Sequence, residues 1–143
     1  MFGRAFSNVS SPDSGSINVL RAGLYINPHY AKRHKGGEDA ACMNENMISV
    51  ADGVGGWAES GIDPAIYSKN LCKLIDELYS SGDDRYIYSP KELLVDAVKM
   101  NQEVGSCTCV ILTLDKQSPV ISTVNLGDSG YMILRKQKDD LDI

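Results

Sequence analysis

Residues 47–57 read Met-Ile-Ser-Val-Ala-Asp-Gly-Val-Gly-Gly-Trp, and the passage from apolar run to acid to glycines decides the fold. The run 47–51 suits a short strand, which leaves Asp52 at the strand end. A carboxylate and the bare backbone carbonyl of Gly53 then stand at one place, and hard cations such as magnesium and manganese take oxygens of this kind. Taken alone, the same residues also read as an Asp-Gly hairpin turn. A dinucleotide fingerprint through Gly53, Gly55 and Ala58 fails on context, because the next helix starts near Pro64 and Asp52 would repel a pyrophosphate.

Downstream, Asp63 before Pro64 is a helix start, with the aspartate as N-cap and proline in the first turn. Tyr67, Leu71, Leu74, Ile75 and Leu78 follow at helical spacing, and Gly82 closes the helix. Ser89, Pro90 and Glu92 form a second start as a capping box, with Leu94, Ala97, Val98 and Val104 as the buried stripe. Segments 107–114, 120–126 and 131–134 read as three strands whose short connections favour antiparallel pairing. Residues 17–26, rich in Ile, Val, Leu and Tyr, suit one or two strands more. Strands, a helix pair, then strands predict an α+β fold.

Upstream of the quoted stretch, Glu38 and Asp39 follow Gly36 and Gly37, so two carboxylates ride on a backbone loose enough to turn both toward one point. The run Lys32, Arg33, His34, Lys35 is the chain's basic cluster and by itself reads as a solvated loop. Asp128 sits at the apex of a turn in Asn-Leu-Gly-Asp-Ser-Gly, 125–130, and matters chemically only if the fold carries it to Asp52.

Composition narrows the classes. The 143 residues are 43% hydrophobic and 23% charged, a balance that fits one globular domain. A net charge of −5 argues against nucleic-acid partners, and no apolar stretch approaches the ~18 residues of a membrane span. Cys42, Cys72, Cys107 and Cys109 match no zinc or redox spacing and are expected as free, small core residues. Residues 1–16, with Arg4 and several serines, read as a flexible tail or a transit segment.

Gly-Glu-Asp-Ala (37–40), Ala-Asp-Gly-Val-Gly-Gly-Trp (51–57) and Asn-Leu-Gly-Asp-Ser-Gly (125–130) together resemble the protein phosphatase 2C family, over most of the chain from about Gly36 to Arg135. The Val-Gly-Gly-Trp form is similar to a branch with organellar, often mitochondrial, members, so mitochondrial location is expected, with cytoplasmic as the alternative. The resemblance implies two antiparallel sheets packed as a sandwich with flanking helices, here incomplete, 17–143 being the amino-terminal portion of the domain. It implies two Mn²⁺ or Mg²⁺ ions, with Asp52 bridging them, Glu38 and the Gly53 carbonyl on the second ion, and Asp39 orienting water. Asp128 would lie beside them, and the substrate would be a phosphoprotein carrying phosphoserine or phosphothreonine.

The chain departs from the family pattern at three places. Val54 stands where many members have a histidine acid. His34 stands where many have a phosphate-gripping arginine, with Arg33 and Lys35 on either side as substitutes. The family's later Asp-Gly segment and near-terminal aspartate have no counterpart before Ile143, so the missing C-terminal half of the domain is expected to complete the centre. Weak metal binding and little turnover by this chain alone follow, and the rival reading is a non-catalytic, phosphatase-like interaction module.

Overall fold

The computed structural model describes residues 17–135. The tail or transit reading of residues 1–16 lies outside the described residues. Four strands, β1 (Asp39–Met43), β2 (Met47–Gly53), β3 (Cys107–Leu114) and β4 (Ile121–Leu126), form one sheet in the order β1-β2-β3-β4. Every neighbouring pair is antiparallel, as the short connections require for β1–β2 and β3–β4. Between β2 and β3 the chain makes three helices: α1 (Pro64–Ser80), α2 (Arg85–Tyr88) and α3 (Pro90–Met100). The α+β class is thus realised.

The helices cover one face of the sheet. Period-two alternation turns Met47, Ser49 and Ala51 of β2 inward, where Met47 packs with Leu71 and Ile75 of α1, Leu93 and Ala97 of α3, and Ile111 of β3. The other face carries Ala41, Met43, Ile48 and Val50, and of these Met43 and Val50 are exposed.

Local signals explain most element ends. The Asp63 carboxylate accepts from the Ala65 N–H at 3.0 Å with Pro64 in the first turn, and α1 ends two residues before Gly82. The hairpin between β1 and β2 is made by Asn44, Glu45 and Asn46, where Asn44 Oδ1 accepts from the Asn46 N–H at 3.1 Å. Asp52 and Gly53 therefore belong to a strand, and the hairpin-turn reading of that pair is excluded.

Several expectations need correction. Residues 17–26 form no strand of the sheet; the segment runs extended, with a single bridge at Arg21 and hydrogen bonds from the Asn18 N–H to the Lys116 carbonyl at 2.9 Å and from the Leu20 N–H to the Glu45 carbonyl at 2.6 Å. Residues 131–134 form none either, and all four side chains are exposed. An apolar β-prone run becomes a strand only where a ladder partner takes its N–H and C=O groups, and neither run meets a continuous one among the described residues. The second sheet of the expected sandwich is accordingly not among them.

The capping box at Ser89 does not close: its side chain makes no cap bond, and the Glu92 carboxylate reaches Arg85 at 3.5 Å instead. The turn α2 between the two long helices has no clear sequence signature, and its Tyr86 hydroxyl donates to Asp96 Oδ2 at 3.1 Å. Val104 lies beyond α3 and is exposed, while Leu93 takes the fully buried place in the stripe. All four cysteines are free, as expected. Among the described residues no helix is long and apolar enough to cross a membrane.

Candidate functional site

Antiparallel register lines up the acids. Asp39, the first residue of β1, stands opposite Asp52 of β2, and Asp52 stands opposite Thr108 of β3. These three side chains therefore share the sheet face away from the helices, at one end. Thr108 Oγ1 and Ser129 Oγ are hydrogen bonded at 2.5 Å, which folds the turn after β4 back over this end. Gly127 permits the fold-back: its φ is 92°, and a Cβ there would lie 2.8 Å from Thr108 Cγ2. The turn brings Asp128 within electrostatic reach of Asp52.

Glu38 precedes β1, and its backbone is held from two sides. Its carbonyl accepts from the Gly53 N–H at 3.1 Å and from Ser68 Oγ of α1 at 2.6 Å. A Cβ on Gly53 would lie 2.7 Å from the Pro64 carbonyl oxygen and 3.0 Å from that of Glu38, so strand end, acidic loop and helix start close on a residue without a side chain. The Val-Gly-Gly-Trp stretch is pinned beside them, with Trp57 Nε1 donating to Ser106 Oγ at 2.8 Å.

Charge crowding is the outcome. The Asp52 carboxyl is pushed above the usual carboxylate range by partial burial first, then by the neighbouring Asp39, and by Asp128 and Glu38. The acids chosen from the sequence are thus brought together. A set of crowded carboxylates fits a hard divalent cation in kind, because such an ion relieves the repulsion that raises Asp52. Among the described residues no three His, Cys, Asp or Glu side chains close on one point as a ready-made cage. Glu38 is instead engaged by Lys32, whose ammonium forms an ion pair with Glu38 Oε2.

Lys32 is the residue that sequence reasoning passed over, grouped there with a solvated basic run. A six-residue 3-10 turn, Tyr30–Lys35, raises the run beside the acids. Lys32, His34 and Lys35 line a cavity of about 320 Å³ whose other walls include Glu38 and Asp63. Arg33 and His34 are both exposed, His34 within that lining and Arg33 outside it. Ser68 was also missed. Its only sequence signal is a hydroxyl on the buried stripe of an amphipathic helix, three residues before Leu71 and three after Ala65.

A gathering of carboxylates at one end of an antiparallel sheet, flanked by a basic cavity, defines an oxygen-donor site beside an anion-receptive wall. No family model matches the chain. Over 127 residues, 84% of its length, it is 40% identical to a probable protein phosphatase 2C 55 of Arabidopsis thaliana, covering 25% of that protein. A protein phosphatase PTC7 homolog of Danio rerio is 36% identical over 145 aligned residues, covering 89% of this chain and 47% of its own length. Among solved structures, the photosystem II phosphatase PBCP superposes with a TM-score of 0.67 at 33% identity, over 73% of this chain and 41% of that one. The chain belongs to the protein phosphatase 2C family. It spans between a quarter and about half of the length of these relatives.

Proposed function

We propose that the chain carries part of the centre of a metal-dependent protein phosphatase that hydrolyses phosphoserine and phosphothreonine. The observation behind this reading is the convergence of Glu38, Asp39, Asp52 and Asp128 on one end of the sheet. Glu38, Asp39, Asp52, the Gly53 carbonyl and Asp128 are the groups that would hold two Mn²⁺ or Mg²⁺ ions. When bound, such ions supply Lewis acidity toward the phosphoryl group and ease the ionisation of water at neutral pH.

The chain's own residues do the positioning. Ser68 and Gly53 fix the Glu38 backbone, so its carboxylate is presented from a rigid loop. Asp39 and Asp52, held in register, keep two acceptors side by side, where Asp39 orients an attacking water by accepting its proton-bearing hydrogen bond. Lys32 and Lys35 give the phosphate monoester a cationic wall, with His34 beside them as a hydrogen-bonding group. Val54 supplies no proton, so leaving-group protonation falls to solvent.

Completion of the centre by carboxylates from the remainder of a longer domain is part of the proposal, as is weak metal binding by residues 1–143 alone. The proposal also includes mitochondrial location, with cytoplasmic as the alternative; a reporter fused to residues 1–30 that stays cytosolic counts against it. The central test is manganese-dependent hydrolysis of a phosphopeptide, with Asp52→Asn as the control. Turnover that ignores either the metal or the substitution rules the mechanism out.

A second reading, a non-catalytic interaction module, is favoured by the Lys32 ion pair on Glu38 and by Val54. Titration calorimetry with Mn²⁺ separates the two, since the module need not take up any ion at Asp52.

A further inference from the structure

Cys42 and Cys72 have no part in the site, and the fold brings them together from opposite layers. Cys42 lies on the helix-facing side of β1, opposite the buried Ser49 of β2. Cys72 lies one helical turn beyond Ser68 on the sheet-facing side of α1 and is 3% exposed. The two pack in one small cluster with Ala40, Ala51 and Cys107, and Cys42 and Cys72 both line one open recess of about 370 Å³. Ile26, Ala40 and Ala41 line it too, with Lys69 and Lys73 of α1, Asp39 and Asp76, so the recess is open and carries charged groups among an apolar lining. Cys42 is half-buried and Cys72 buried, which makes the first the accessible thiol and the second its neighbour underneath.

We infer that Cys42 and Cys72 form a peroxide-driven disulfide that staples β1 to α1. Hydrogen peroxide reaches Cys42 through the recess and oxidises its sulfur to a sulfenic acid, releasing one water. The Cys72 sulfur then attacks the sulfenic sulfur, the S–S bond forms, and the displaced hydroxyl leaves as a second water with the Cys72 proton. Two thiols thus lose two hydrogens, and one peroxide becomes two waters. The Cys42 thiol beside it, followed by burial, pushes the Cys72 thiol up, so Cys72 is poorly suited to be the sulfur first oxidised. Packed contact compensates for its low thiolate fraction, because a neighbouring resolving thiol acts at a high effective concentration.

The other two thiols do not line the recess that Cys42 and Cys72 share. Cys107 and Cys109 stand two apart on one strand, and burial pushes them up to about 12 and about 11. Cys109 is besides engaged with Ser49 Oγ at 3.6 Å. The staple would tie the strand that opens with Asp39 to the middle of the helix whose Ser68 holds Glu38.

Peptide mapping tests this on the 143-residue chain. The reduced protein is treated with hydrogen peroxide, remaining thiols are alkylated, and tryptic peptides are weighed with and without reductant. Tryptic cleavage puts Cys42 in 36–69, Cys72 in 70–73, and Cys107 with Cys109 in 100–116, so each pairing has its own mass. The expected product is 36–69 joined to 70–73, lighter than the two thiols by about 2 Da for the two lost hydrogens. It disappears with reductant and in Cys42→Ala and Cys72→Ala, and it persists in Cys107→Ala. Stable sulfinic acid at Cys42 with Cys72 free, a link through 100–116, or no oxidation of Cys42 overturns the assignment. The wild-type map decides the question even where a substitution weakens the fold.

Discussion

The hydroxyl of Ser68, inside α1, donates to the backbone carbonyl of Glu38 at 2.6 Å, so the helix grips the acidic loop by its main chain. Ser68 is fully buried, and its removal leaves that carbonyl with the Gly53 N–H alone. Ser68→Ala is expected to cost about 1–3 kcal/mol, read as a lower urea midpoint with an unchanged slope. A neutral result shows that the loop does not depend on this bond.

Gly53 carries the second grip. A methyl group 2.7 Å from the Pro64 carbonyl oxygen forces helix start and strand end apart. Gly53→Ala is expected to destabilise by about 1–3 kcal/mol, typical of overpacking, measured by the same denaturation. Gly56→Ala, where a Cβ meets nothing within 4 Å, is the control and should change stability little.

Asp52 pays for its company in stability, with a definite sign. Its folded-state pKa lies above the unfolded 3.8, so the folded chain holds the proton more tightly, and stability falls as pH rises from 3.8 through the folded value. Asp52→Asn removes that penalty. In chelator at pH 7 its Tm is expected to exceed the wild type by on the order of 1–3 °C, small because solvent screens so open a side chain. Below the unfolded pKa the gap closes. A Tm below that of the wild type at pH 7 contradicts the crowding.

Lys32 and a divalent ion are rivals for Glu38. Lys32→Met is expected to tighten Mn²⁺ binding by about fivefold, the equivalent of ~1 kcal/mol for a partly exposed pair. Arg33→Met removes the same charge from outside the cavity and should shift affinity less. Equal shifts in the two variants, measured by calorimetry, would trace the effect to general charge.

What was legible in the sequence was what local chemistry decides. Asp63 before Pro64 places the start of α1, and the apolar run 47–51 places β2 with Asp52 near its end. The acids could be chosen, but their meeting depends on the register of Asp39 against Asp52, which no local pattern states. Lys32 and Ser68 stayed hidden because both act on Glu38 across the fold, one from a basic run that alone looks solvated and one from a helix stripe that alone looks like core. The runs at 17–26 and 131–134 misled because β-prone residues specify a strand only together with a partner edge.

Met43 and Val50, exposed on the sheet face away from the helices, give this chain a sticky side in a test tube. Water bounding such a surface is released when two molecules meet, so self-association grows with concentration and with sulfate, and fades in dilute low-salt buffer. Light scattering is therefore a necessary companion to every binding titration, since clumped protein hides its acids as effectively as a substitution removes them.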